Sequence, residues 1–341
     1  MSEKMENCKW FKAKNLGVAG KGWLETEHFF DRLPSGAKNS VRNVVWDLSR
    51  MPAGITVHFK TDATMIRAKW QLESRELANS TMCAAARSGL DLYARDTEGQ
   101  WSWAGVSTSV DSLTPENILV SGMTPVMREY MLYLPLHNPV SQLEIGVPES
   151  SAFAPVSPRG GKPVVFYGTS IVHGASASRP GMTHVGILQR RLDVPVINLG
   201  FDGNALMEPE MADLLIELDP KVYVIDAIPN MNAQMIAERA EKFIRKIRKA
   251  KPNVPIVLVE DRTYANSWLV PAKQKENDSR RAEFHKIYHR LEADHISGLH
   301  YVEGETLLGM DNDASVCGSH PTDLGFFRIA NRLEPVLRPL I

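Results

Sequence analysis

Hydrophobic and polar positions follow two different patterns along this chain. Up to about residue 150 the apolar runs are short, rich in β-branched and aromatic residues, and separated by polar, Gly or Pro clusters. Val41–Trp46, Gly54–Phe59, Met65–Leu72, Leu90–Ala94, Trp101–Val106 and Glu129–Leu134 have this form. Ile55-Thr56-Val57-His58-Phe59 alternates apolar and polar with a period of two, as a half-buried antiparallel strand does. Thr97-Glu98-Gly99-Gln100 reads as a turn between strands, and Leu143–Val147 as a closing strand. Many short strands at this spacing predict a β-sandwich of jelly-roll type over residues 1–150. Pro148–Lys162, with three prolines and a glycine pair among small residues, reads as connecting chain, so residues 151–162 are expected to be a linker.

From residue 163 to 341 the pattern changes. Strand-like runs at Val164–Tyr167, Val194–Leu199, Val222–Ile228, Ile256–Glu260 and His300–Glu303 alternate with helical stretches at Thr183–Leu192, Pro209–Leu218, Asn232–Lys251 and Asp278–Asp294. Asn232–Lys251 places Met235, Ile236, Ala240, Phe243, Ile244 and Ile247 on one face and charged residues on the other. Thr322 or Asp323 is positioned to cap a final helix through Phe326, Ile329, Ala330 and Leu333. Alternating β and α units predict an α/β fold with a parallel sheet and helices on both faces.

The 341 residues are 43% hydrophobic and 23% charged, with a net charge of −1, so nothing points to nucleic acid or an anionic membrane surface as partner. No apolar run approaches a membrane span. Met1–Trp10 carries lysines and no apolar stretch, so it does not read as a signal peptide; the compartment is left open, as is the oligomeric state. Cys8, Cys83 and Cys317 are distant and odd in number, which fits neither a disulfide framework nor a paired C-x-x-C site. There is no G-x-x-x-x-G-K-[ST], no G-x-G-x-x-G and no H-E-x-x-H, and neither cofactor nor metal is expected.

The candidate chemistry gathers at Pro163–Gly174. A short apolar run ends at Tyr167, Gly168 breaks it, and Thr169 and Ser170 follow. In open α/β sheets ligands bind beyond the carboxyl ends of strands, where a serine can serve as nucleophile. An ordinary strand-to-loop turn is the competing reading. Gly318-Ser319-His320-Pro321-Thr322-Asp323 places a histidine just before the last helix, where it can act as the base across the sheet top. His173, three residues after Ser170, is a rival for that role. Glu260-Asp261-Arg262 follows a strand and could line the site, but reads rather as a solvated loop or salt bridge. Trp101 and Trp103 share one face of a strand and read as core, with sugar stacking as the alternative.

These blocks resemble the SGNH (GDSL-like) hydrolases, whose first block is G-D-S and whose last is D-x-x-H-P. Gly89-Leu90-Asp91-Leu92-Tyr93 is similar to the G-x-D-L-Y motif of the subgroup with an N-terminal β domain. The resemblance implies a flavodoxin-like hydrolase domain and a serine esterase forming an acyl-enzyme, often on acetylated carbohydrate. It implies oxyanion donors at the Ser170 amide, at Gly203 and at Asn230. Asn198-Leu199-Gly200-Phe201-Asp202-Gly203 aligns with the family's N-x-x-x-S-G, Asp202 replacing the serine and Gly200 being the runner-up donor. Asn230 matches the third block, and Asn232 is placed to cap the next helix. The family's aspartate three residues before the histidine is Cys317 here. The expectation is a Ser–His dyad whose ring is oriented by a backbone carbonyl, with Asp311, Asp313 or Asp323 as substitute carboxylates. A carbohydrate-binding protein with a decayed hydrolase domain, and a lipase or thioesterase of the same family, are the alternatives.

Overall fold

A computed structural model of the chain describes residues 7–341. The first six residues of the stretch read for a leader therefore lie outside the described residues.

Among the described residues ten strands occupy the first half: β1 (Cys8–Lys12), β2 (Gly17–Ala19), β3 (Thr56–Thr61), β4 (Met65–Leu72), β5 (Asp91–Arg95), β6 (Trp101–Val106), β7 (Glu116–Ser121), β8 (Arg128–Tyr133), β9 (Val140–Pro148) and β10 (Phe153–Pro155). They form two antiparallel sheets, one ordered β1-β9-β4-β7 and one ordered β10-β3-β8-β5-β6 with β2 beside β3. In β4 the side chains of Ile66, Ala68, Trp70 and Leu72 are buried while those between them are not, the alternation a pleated strand with one covered face imposes. These residues share a core with Val57, Phe59, Leu92, Tyr130 and Leu132 of the other sheet.

Three expectations are corrected here. Val41–Trp46 is not a strand: α1 spans Asn43–Ser49. Its β-branched and aromatic residues favour a strand locally, but Val45 and Trp46 pack beneath the parallel sheet of the second half, and that burial outweighs propensity. Phe153–Pro155, within the stretch read as linker, pairs as β10 with β3. Trp103 is not core: it lies on the edge strand β6 and is 53% exposed.

In the second half β11 (Val164–Gly168), β12 (Val196–Gly200), β13 (Val222–Asp226), β14 (Ile256–Val259) and β15 (Leu299–Val302) form a parallel sheet ordered β12-β11-β13-β14-β15. Every residue of β11 to β14 is buried, because helices cover both faces. The short α2 (Ala84–Arg87) belongs to the first half; α3 (Ser170–His173), α4 (His184–Leu192), α5 (Pro209–Glu217), α6 (Ala233–Ala250), α7 (Pro271–Ala293) and α8 (Asp323–Leu337) follow. Val165 and Tyr167 of β11 pack with residues of α5, α6 and α7 on one face, and Val164 and Phe166 with α4 and α8 on the other. Helix α7 starts seven residues before its expected beginning. Its first turns are polar and start at Pro271, so no apolar stripe marks them.

The two halves are joined by buried polar contacts. Asp91 of the G-L-D-L-Y strand is fully buried and accepts from the Gly181 amide at 2.8 Å, from Arg179 at 2.7 Å and from the Trp103 indole at 3.1 Å. Arg32 donates to the carbonyls of Asn198 (3.0 Å) and Gly200 (2.8 Å) at the end of β12, and to those of Leu48 and Met51. Burial pushes its guanidinium down to about 9, still charged at neutral pH.

Candidate active site

Strand order reverses at β11, whose neighbours β12 and β13 lead away in opposite directions, and the crevice above such a point is where α/β sheets bind ligands. Gly168 ends β11. A Cβ there would lie 2.4 Å from the Asp226 carbonyl oxygen, so only glycine lets the chain leave the sheet this close to β13. The Thr169 side chain then accepts from the Ile171 amide at 3.3 Å and starts α3, with Ser170 as its first residue. A first helical residue has no intrahelical acceptor for its N–H, which leaves the Ser170 amide available.

His320 arrives from the loop before α8. The bonds Val316 N–H to His320 O (2.9 Å) and Thr322 N–H to Ala314 O (3.0 Å) close that loop, and Gly318 turns it at φ +85°. Arg262 donates to the Ser319 side chain and carbonyl, and is itself paired with Asp261. Asp261 also accepts from Asn277 (2.9 Å) and Arg280 (3.2 Å). Glu260-Asp261-Arg262 is therefore a buried ion-pair network bracing the histidine loop, not a solvated loop. The structure brings His320 Nε2 to 2.9 Å from Ser170 Oγ.

The distal nitrogen differs from expectation. His320 Nδ1 lies 3.2 Å from Cys317 Sγ, so a thiol, not a backbone carbonyl, faces it. Asp311 is paired with Arg328, and Asp323 binds the Ser178 amide and hydroxyl. No bond joins Asp311, Asp313 or Asp323 to the ring among the described residues. Thr322 sits at the N-cap of α8 but makes no side-chain capping bond, and Asp323 is turned to Ser178 instead of capping the helix. Burial holds the His320 imidazole below its usual range; Asp202 opposes that effect and Arg262 adds to it. His173 is not the partner of Ser170. It is fully buried, bonded through Nε2 to the Leu136 carbonyl (2.8 Å) and stacked on His137.

Above β12 the bond Asn204 N–H to Phe201 O closes a turn that holds Gly203 at φ +67° with open space around its α-carbon. The Gly200 amide is spent on Asn198 Oδ1 at 2.9 Å, and a Cβ on Gly200 would lie 2.1 Å from the His173 nitrogen. Gly200 thus serves close packing of α3, and its N–H is not free. Beyond β13, Asn230 Oδ1 accepts from the Ala205 amide at 3.2 Å, which ties this loop to the chain just after the Gly203 turn. Asn232 caps α6 by accepting from the Met235 amide at 2.8 Å. The sequence carries no signal for one further group near Asp202. His137 lies in the loop after β8, and its Nε2 is 3.9 Å from the Asp202 carboxylate.

Comparison with known proteins places the chain in a family. Residues 161–338 match the GDSL-like lipase/acylhydrolase family, and residues 8–153 match the N-terminus of esterases of SGNH hydrolase type. A protein of Bacteroides ovatus ATCC 8483, named as a GDSL-like lipase, is 30% identical over 98% of both chains, with a TM-score of 0.93. The salicylyl-acyltransferase SsfX3 of a tetracycline biosynthetic pathway is 17% identical over 98% of this chain and 97% of its own, with a TM-score of 0.77. A family two carbohydrate esterase from Cellvibrio japonicus is 12% identical over 98% of both chains, with a TM-score of 0.62. The last two share the fold alone. No curated protein matches the sequence.

Proposed function

Because the chain belongs to the GDSL-like lipase/acylhydrolase family and is thus an SGNH-type carboxylic ester hydrolase, we propose that it cleaves short-chain esters, acetyl groups on carbohydrate above all, through an acyl-enzyme on Ser170. The observation that carries this reading is the 2.9 Å contact between Ser170 Oγ and His320 Nε2 at the carboxyl end of β11. For Nε2 to accept the serine proton, the ring proton sits on Nδ1, where Cys317 Sγ accepts it. The Oγ–carbonyl bond forms as the proton moves to Nε2. The bond to the alkoxide breaks as that proton is returned to it, and water repeats the sequence to release the acid. The oxyanion is held by the Ser170 and Gly203 amides and by Asn230 Nδ2.

The first-half strands are read as a jelly-roll-like β-sandwich spanning residues 1–150, joined by residues 151–162 to a hydrolase domain at 163–341. A carbohydrate substrate is supported by the fold shared with the Cellvibrio japonicus esterase. The test is p-nitrophenyl acetate hydrolysis by the full chain, with and without Ser170→Ala. Burst release that disappears in the variant is expected. Equal rates in both would overturn the assignment, and no turnover in either would favour a binding protein that has lost the chemistry. A rate that rises with acyl chain length would point to a lipase or thioesterase.

A further inference from the structure

Asp202 opens the turn above β12, one residue before Gly203, and its side chain is 46% exposed. Behind it stands His137, only 3% exposed, with neither ring nitrogen hydrogen-bonded among the described residues. The ring is held in place. It stacks on His173 with centroids 4.0 Å apart, and its backbone N–H donates to the Arg87 carbonyl at 3.0 Å. Nε2 lies 3.9 Å from one oxygen of the Asp202 carboxylate, whose side chain is otherwise open to solvent beside the Gly203 turn. Burial, with Arg87 and Arg32 near, pushes His137 down to about 3, so its imidazole is neutral at working pH.

A carboxylate beside amides that must stabilise a developing negative charge works against the reaction. Its placement makes sense if it binds something. We infer that Asp202, positioned by His137, accepts a hydrogen bond from a free hydroxyl next to the scissile ester, which makes a partly acylated sugar or polyol the substrate class. This rests on the esterase reading above. A cationic group is the poorer occupant, since Arg87 already directs positive charge at Asp202. A neutral hydroxyl bonding to a carboxylate is a charge-assisted contact and needs no counter-charge.

The experiment compares a monoacetylated methyl xyloside, which keeps free hydroxyls, with p-nitrophenyl acetate, which has none. In Asp202→Ala, kcat/KM for the xyloside is expected to fall about 10-fold or more, carried in KM, because a site built to hold a hydroxyl loses its acceptor. For p-nitrophenyl acetate it is expected to rise severalfold, because repulsion of the oxyanion is relieved. His137→Phe, which keeps the stacking on His173, should move both in the same directions by less. A purely structural role would lower both substrates together, and that result, or an unchanged xyloside rate, overturns the inference. If the wild type hydrolyses neither ester in a Ser170-dependent way, the esterase reading falls and the subsite with it. If it hydrolyses both and the opposite shifts do not appear, only the subsite falls.

Discussion

At the residue scale, a sulfur atom occupies the place that a carboxylate takes in the family's last block. Cys317 Sγ at 3.2 Å can orient the His320 ring, but a neutral thiol is a weak acceptor and adds no charge to stabilise the imidazolium. Cys317→Ala should therefore lower kcat by about 10-fold at most, since general-base assistance as a whole contributes about 10²–10⁴-fold. Cys317→Asp should raise kcat. It should also move the acid limb of the pH–rate profile upward, because a facing carboxylate favours the protonated ring. A Cys317→Ala protein that stays folded with no activity would mean the thiol acts directly. In the wild type the sign runs the other way. Burial holds His320 below the ordinary imidazole value of about 6.5, so the neutral, active form persists as the pH falls past that value. Asp202→Asn removes the charge that favours protonation and should move the limb lower still, which a kcat/KM profile would read.

Asn230→Ala should lower kcat by about 10²–10³-fold, the usual loss for one oxyanion donor. Its bond to the Ala205 amide adds a stability cost of about 1 kcal/mol, measurable by denaturant titration. Large destabilisation with full activity in the folded fraction would mark the residue as structural. The meeting of Ser170 and His320 is legible in the sequence because each lies at a boundary between a regular element and a turn. The approach of Cys317, Asp202 and His137 is not legible. It depends on side-chain directions and, for His137, on a loop from the other half of the chain.

At the element scale, the parallel strands are legible because each is a continuous apolar run, covered on both faces. Elements whose local preference opposes their packing are not legible: α1 is spelled with strand formers, and β6 carries two tryptophans at an edge. The buried G-L-D-L-Y strand shows why the motif needs its acid. Asp91 is fully buried, and its bonds to Arg179 and Gly181 hold the chain just before α4 against the first half. Asp91→Ala leaves Arg179 without its buried partner. It should cost about 3–5 kcal/mol, seen as a lowered melting temperature, the usual penalty for breaking a buried pair from one side. An unchanged melting temperature would show that the contact contributes little.

At the scale of the whole molecule, the first half touches the elements that present the site. Arg32 grips the end of β12, the Leu136 carbonyl holds His173 in α3, and Cys83 reaches the Ser178 carbonyl, whose residue is bound in turn by Asp323. Leu33, Ala37, Val41, Val45 and Trp46 fill the core beneath the parallel sheet. Residues 161–341 expressed alone should therefore be insoluble or molten. Far-UV and near-UV circular dichroism would check this, and a well-ordered, active fragment would contradict it.

That shared core limits how such a protein can be varied by recombination. A crossover at the chain between the two halves looks convenient, since few residues lie there. Yet it would pair one parent's Arg32 and Trp46 with another parent's β12 and α5, and the graft would inherit mismatched surfaces under its own reaction centre. Acceptable seams run around the α1 segment, which must travel with the parallel sheet although it is encoded more than a hundred residues upstream of it. New specificity is more safely sought by changing side chains in the cleft than by exchanging halves.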